Sequence, residues 1–168
     1  MNVKFLNPFI EAAYEVLQIE TQIKMARGEL RLEKEPYQTD DITVLLSLVG
    51  RVQGNVFYGM SNQTGIKFAS RIMGETFTEF NNLAQSGIAE LGNVITGRAS
   101  VKLAEAGYEF TISTPTLLRG RGGTISTLDF ARLVVPLIGD FGPITIHLAL
   151  REGLEMVTQR NEAAASTH

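Results

Sequence analysis

The sequence predicts an α/β chain of the α+β type, a mostly antiparallel sheet with long helices packed on it. Three observations predict it. Two hairpins with strand period lie around residues 42–60 and 130–151. Helical period precedes the first hairpin and fills the stretch between the two. The mixed order of these elements suits neither a strict alternation of strand and helix nor an all-β chain.

The elements follow in chain order. Asn7-Pro8 reads as a helix start, with Asn as the cap and Pro in the first turn, where its missing N–H costs nothing. Phe9, Ala13, Val16 and Leu17 carry the helix to about Glu20. Residues 21–40 are polar and show one strand, around Glu29–Lys34. From Ile42 the period becomes two, and both faces are apolar enough for a central strand. Gly50 to Gly54 gives a turn, and Val56, Tyr58 and Met60 continue as a second strand. Ser61 or Asn62 caps a helix that stops at Gly74. A long helix is expected from about Glu79 to Ala106. Short strands follow near Tyr108–Ile112 and Thr124–Leu128, then long ones over Phe130–Ile138 and Ile144–Arg151. Pro136 places its strand at an edge or a bulge.

The Gly-containing hairpin at 49–54 has an echo at 138–142. An internal duplication, with a pseudo-two-fold, is one reading; two unrelated hairpins is the other. Residues 1–152 read as a single domain and residues 153–168, ending in Ala, Ser and Thr, as a flexible tail.

Composition narrows the function. The chain has 168 residues, 44% hydrophobic and 20% charged, with a net charge of -3. That balance suits a globular domain and gives no support for nucleic-acid binding, which asks for a clustered basic face. Cysteine is absent, so disulfides, thiolate metal sites and thiolate nucleophiles are excluded. No apolar run approaches the roughly 20 residues that span a bilayer. Met1–Phe9 lacks the apolar core of a signal peptide. The expectation is a cytoplasmic protein with no membrane partner.

The long helix carries the functional argument. Ala84, Ile88, Leu91, Ile95 and Ala99 share one side and read as core. Ser86, Glu90, Asn93, Gly97 and Ser100 form a second line on the other side. A solvated helix face is usually rich in Lys, Glu, Arg and Gln. This one has Ser, Asn and Gly, which are poor in helix interiors. Gly87, Gly92 and Gly97 each cost about 1 kcal/mol against Ala. The line therefore reads as a docking face, with glycines permitting close approach and with Glu90 and Asn93 one turn apart.

The run from Leu83 to Gly122 resembles the signature of the CheC/CheX chemotaxis phosphatases: a Ser or Asp, three residues, Glu, two residues, Asn, then a Pro some twenty residues on. Ser86, Glu90, Asn93 and Pro115 occupy those places, Pro115 about one residue from the usual spacing. CheC-type chains carry a second copy of the motif on the first helix. Here Asn7 matches its Asn, but Lys4 stands at its acid position, so the chain resembles the one-site CheX branch.

The resemblance implies hydrolysis of the aspartyl phosphate of a CheY-like receiver domain in chemotaxis or related two-component signalling. Asn93 would orient the attacking water and Glu90 would pair with the receiver's Lys. Ser86, Gly97 and Pro115 would line the contact. It implies no cofactor or metal of its own, Mg2+ being held by the receiver, and a homodimer. A non-catalytic adaptor that docks a receiver or flagellar switch component is the alternative. His147 reads as a structural or surface histidine, because no nearby Ser, Cys or acid suggests a triad. The Arg119–Gly123 stretch lacks the Lys-Ser/Thr of a phosphate loop and reads as a tight turn.

Overall fold

The computed structural model describes residues 3–127 and 131–153. A short 3-10 turn, Val3–Phe5, leads into α1 (Leu6–Thr21). The helix begins two residues earlier than Asn7 predicts, with Phe5 at the cap position and no side-chain cap. Asn7 and Pro8 instead lie in its first turn, where the chain needs no N–H from proline. Short strands β1 (Ala26–Arg27), β2 (Arg31–Glu33) and β3 (Tyr37–Gln38) follow. The hairpin of β4 (Ile42–Gly50) and β5 (Val52–Met60) is where the period-two pattern places it.

Helix α2 (Asn62–Met73) is capped by Ser61, whose Oγ accepts from Thr64 N at 3.2 Å. It ends at Gly74, in the left-handed region that glycine enters without a steric penalty. Helix α3 (Asn82–Glu105) is capped by Asn81, whose Oδ1 accepts from Ala84 N at 3.0 Å. The remaining strands are β6 (Phe110–Ile112), β7 (Thr116–Arg119), β8 (Thr124–Ile125), β9 (Arg132–Ile138) and β10 (Ile144–Glu152). The expected starts of the last hairpin at Phe130 and end of the preceding strand at Leu128 lie outside the described residues, as does the expected tail beyond Gly153.

The main sheet is antiparallel in the order β1-β9-β10-β5-β4-β6, with β2 also on β9 and β7 also on β4; β3 pairs with β8. This order explains the echo between hairpins. Each half of the chain contributes a helix, three short strands and a hairpin. The short strands cross over: β1 and β2 flank the second hairpin, while β6 and β7 flank the first. The two halves meet at β5–β10, which gives a pseudo-two-fold layout with α2 as the added element.

Of the two positions expected for Pro136, the structure shows the bulge: the register against β9 shifts by one residue between Arg27↔Leu137 and Arg31↔Val134. Its strand is not an edge, since β9 lies between β10 and β1/β2. The proline sits where β9 changes partner from β1 to β2, and its carbonyl accepts from Gly28 N at 2.8 Å. A residue without an N–H fits such a break in the ladder.

The core lies between the helices and one face of the sheet, with Phe5, Phe9, Val44, Leu46, Tyr58, Ile88, Ile95, Ile146 and Leu148 among its members. The opposite face is not bare. Tyr37, on β3, is buried against Phe57 and His147, with ring centroids 5.2 and 4.4 Å away.

Candidate functional site

Helix α3 rests on the sheet through the inward side that its spacing predicts. Ala84, Ile88, Leu91, Ile95 and Ala99 are all buried. Burial of that apolar stripe, rather than helix propensity, holds the helix despite three glycines. Lys102 of α3 reaches Glu15 of α1 at 2.9 Å, and Arg98 also pairs with Glu15. Those contacts lower the pKa of Glu15 and fix α3 against α1.

Two of the three glycines do not belong to the docking face. Gly92 is buried, and a Cβ there would stand 2.9 Å from Val44 Cγ1 and 3.2 Å from Tyr58 Cδ2. Gly87 is buried against Met73. They permit close approach of the protein's own sheet and of α2. Gly97 alone is open, with nothing within 4 Å of a Cβ.

The outward line is otherwise as expected. Ser86 and Glu90 are exposed; Asn93, Gly97 and Ser100 are half-buried. Ser86 and Ser100 donate to backbone carbonyls of their own helix, Asn82 O at 3.1 Å and Gly97 O at 2.6 Å. Among the described residues, no hydrogen bond or ion pair engages the Glu90 carboxylate or the Asn93 amide. Both are presented outward on a rigid element, available to a second molecule.

Three side chains that sequence reasoning left out complete this surface. Leu83, Val94 and Val101 are 44%, 36% and 59% exposed. Their spacings, eleven and seven residues, are near whole numbers of helical turns. They form an apolar stripe beside Glu90, so the carboxylate and the amide project from a surface that favours covering by a partner. The recurrence was the available signal.

Pro115 lies between β6 and β7, which both pair with β4. There Ser113 bridges to Ser47 through its N–H and its Oγ, each at 2.9 Å. The proline occupies a ladder break on the strand edge beneath α3, which packs on β4, β6 and β7. The Arg119–Gly123 stretch is a turn from β7 to β8, and Arg121 pairs with Asp41 at 3.2 Å.

Lys4 is paired with Glu152 and hydrogen-bonded to Tyr108, and its ammonium lies 4.5 Å from the Tyr108 ring centroid. The position that holds an acid in a two-site chain is thus taken by a cation with a structural partner. His147 is buried on the sheet face opposite the helices, not on the surface. Among the described residues, no group of three or more His, Asp or Glu could hold a metal ion. Nor is any helix long and apolar enough to cross a membrane.

Comparison with known proteins places the chain in a family and identifies structures of the same fold. The family model for the chemotaxis phosphatase CheX matches residues 42–137, more than half of the chain. The CheY-P phosphatase CheX of Thermotoga maritima is 24% identical over 154 residues, covering 91% of this chain and 99% of its own. A CheC-like superfamily protein from Shewanella sp. PV-4 superposes with a TM-score of 0.81 at 25% identity, over 90% of this chain and 99% of the other. The CheX–CheY–BeF3–Mg2+ complex of Borrelia burgdorferi gives 0.77 at 25% identity, over 90% and 100%. The chain belongs to the CheX family of chemotaxis phosphatases.

Proposed function

We propose that this protein hydrolyses the aspartyl phosphate of a CheY-like receiver domain, with Glu90 and Asn93 as the residues that act on it. The observation that carries this reading is the pair itself: one carboxylate and one neutral amide, a turn apart, outward on α3, unpartnered among the described residues and flanked by exposed Leu83 and Val94.

The reaction needs a water placed in line behind phosphorus. The water oxygen bonds to phosphorus, the bond from phosphorus to the aspartyl oxygen breaks, and its electrons leave on the carboxylate. The water proton passes to solvent or to the phosphate product. Phosphoryl transfer of this kind gains most from positioning and charge neutralisation. Asn93 suits the positioning role, because an amide accepts from water, donates to an oxyanion and carries no charge to repel it. Glu90 suits a pairing role with a Lys beside the receiver's phosphorylation site, which fixes the register of docking. Ser86, Gly97 and Pro115 are placed at or beside the contact.

Mg2+ belongs to the receiver in this reading. Glu90 is the one carboxylate between Ser86 and Gly97, too few oxygen ligands for a site of its own. When bound there, the ion neutralises the phosphoryl charge. Residues 1–152 act as a single phosphatase domain, in the cytoplasm and as a homodimer; the exposed apolar Leu32 and Ile138 at the β2–β9 side of the sheet favour self-association.

The test is loss of label from a phosphorylated receiver domain. Asn93→Ala should slow dephosphorylation by about 100-fold or more with docking retained. Glu90→Ala should weaken docking and turnover together. Parental rates in both variants would overturn the assignment of Glu90 and Asn93, and a parent that does not accelerate loss of label would be a non-catalytic adaptor.

A further inference from the structure

Helix α3 carries its exposed apolar side chains on one flank, and α2 adds another to it. Among the described residues nine large apolar side chains are exposed, and four of them, Met73, Leu83, Val94 and Val101, gather here. Met73 closes α2, and its Cγ and Sδ lie 3.3 Å from where a Cβ of Gly87 would stand. Gly87 is four residues after Leu83 and three before Glu90. Val94 follows Glu90 by four, Gly97 follows Val94 by three, and Val101 follows Gly97 by four. This alternation of four and three keeps all six positions in one row along the helix. Met73 fills the row at Gly87, and Gly97 leaves an open hollow between the two valines.

The row has a defined side. Met73 belongs to α2, and Arg98, between Val94 and Val101 in sequence, pairs with Glu15 of α1. The row therefore lies toward the flank that α3 shares with α1 and α2. Gln85 is nine residues from Val94, about half a turn round the helix. It shares a hollow with Asn82 and with Arg119 of β7, so the opposite flank is polar.

The occupant of the row follows from Glu90. The carboxylate lies near the middle of the row, one turn from Val94. A second copy packed about a two-fold would bring two such carboxylates together at its centre, and like charges there oppose docking. A receiver that offers a lysine to Glu90 meets the row with opposite charge. A body that touches both Glu90 and Asn93 also covers Val94, whose Cβ stands about 5–6 Å from that of Glu90. From Leu83 to Val101 the row is about 27 Å long. A standard interface of about 800 Å² per partner is roughly 30 Å across, so one docked receiver spans the row.

We infer that Met73, Leu83, Val94 and Val101 set the affinity for the receiver, which docks over the α1–α2 flank of α3 with an apolar patch around its lysine. The inference rests on a receiver domain as the substrate. Glu90 and Asn93 act at the phosphoryl group, while the ridge supplies the apolar centre of the interface and excludes water from the pair. A receiver with charged residues in that patch is rejected, because the ridge leaves a buried charge without a partner.

The experiment measures dephosphorylation of a CheY-like receiver over a range of receiver concentrations. Calorimetry measures binding of the same receiver loaded with beryllofluoride and Mg2+. Leu83→Gln and Val101→Gln replace exposed side chains with a good helix former, so Tm should hold. The double variant should raise KM and Kd by about tenfold or more, with kcat within about twofold of parental. The heat-capacity change of binding should become less negative, which a merely structural role would not produce. The rise should persist at high salt, unlike the effect of Glu90→Ala. Should the double variant lose Tm, Val101→Gln alone carries the test, with a rise in KM of about threefold. Arg119→Ser, on the opposite flank, should leave KM near parental.

A parental KM in the ridge variants, while Asn93→Ala still slows dephosphorylation, overturns the inference and leaves the reaction standing. A rise in KM from Arg119→Ser as large as that of the double variant overturns it as well. A double variant that loses self-association in sedimentation while its KM stays parental assigns the ridge to a second copy. A parent that neither binds nor dephosphorylates the receiver removes the reaction and the inference together.

Discussion

The Tyr58 hydroxyl lies 2.7 Å from Thr96 Oγ1, beneath the turn of α3 that carries Asn93 on its outer side. Thr96 donates its own proton to Gly92 O at 2.8 Å, so Tyr58 is the donor in the pair. Burial raises the pKa of Tyr58, which keeps that proton in place. The chain from hydroxyl to hydroxyl to carbonyl ties the middle of α3 to the middle of the sheet.

Removing either end should be felt in stability and in turnover. Tyr58→Phe deletes the donor, and Thr96→Val leaves a buried tyrosine hydroxyl without its acceptor. Each should cost about 1–3 kcal/mol in urea unfolding. Thr96→Ser keeps the hydroxyl and should lose less. In receiver dephosphorylation, kcat of the folded Tyr58→Phe protein should fall several-fold with KM little changed, because the helix floats while its contact surface remains. An unchanged kcat would mean that α3 is positioned by its apolar face alone.

Glycines of one helix should respond oppositely to alanine. Gly92→Ala drives a methyl toward Val44 and Tyr58 and should destabilise by about 1–3 kcal/mol, less any gain in helix propensity. Gly97→Ala meets open space in a helix interior and should stabilise by up to about 1 kcal/mol. If Gly97 lines the receiver contact, that same variant should bind a phosphorylated receiver more weakly. Calorimetry of folding and of binding on one protein reads both signs.

These opposite roles mark where sequence reasoning stops. A helical wheel reports where a side chain points, and glycine has none, so Gly92 and Gly97 look alike until the distance to Tyr58 is known. The hairpin of β4 and β5 and the helix α3 were legible because nine or more residues repeat one period between clear turn and cap residues. Strands β1, β3 and β7 are two to four residues long and show no period. They exist because distant partners hold them, as Ile125 holds Tyr37. Glu90 and Asn93 stood out because a carboxylate and an amide on a small-residue line are unusual for a solvated face. Leu83, Val94 and Val101 did not, because apolar residues on a helix read as core by default. Arg132 escaped notice for a similar reason: a cation at the start of an apolar strand reads as exposed, yet it is buried.

Lys4 gives a negative control that distinguishes one site from two. It is held by Glu152 and Tyr108, and those contacts raise its pKa and lower that of Glu152. Lys4→Ala should leave receiver dephosphorylation at the parental rate, whereas Asn93→Ala should not. A loss of activity in Lys4→Ala without loss of folding would place the first helix in the reaction after all.

His147 should make stability depend on pH in a window set by its own shift. The folded chain holds the ring neutral down to about pH 3, while an unfolded chain protonates it near 6.5. Between those values the unfolded state binds the extra proton, so stability rises with pH, is fully present above about 6.5, and is lost as pH falls toward 3. The slope approaches 1.4 kcal/mol per pH unit, which gives a loss of about 2 kcal/mol between pH 7 and 5. Arg132 and Arg31 act in the same direction at the ring, and Glu33 is paired with both, so it offsets little of it. Asp40 has its pKa raised above 3.8 and binds its proton in the folded state first, so its own contribution opposes that of His147 only toward the acid end. His147→Gln removes the titrating ring and should flatten the dependence between pH 7 and 5 in urea unfolding, whatever its stability at pH 7. A variant with the parental slope would show that the His147 ring does not set the pH dependence of stability.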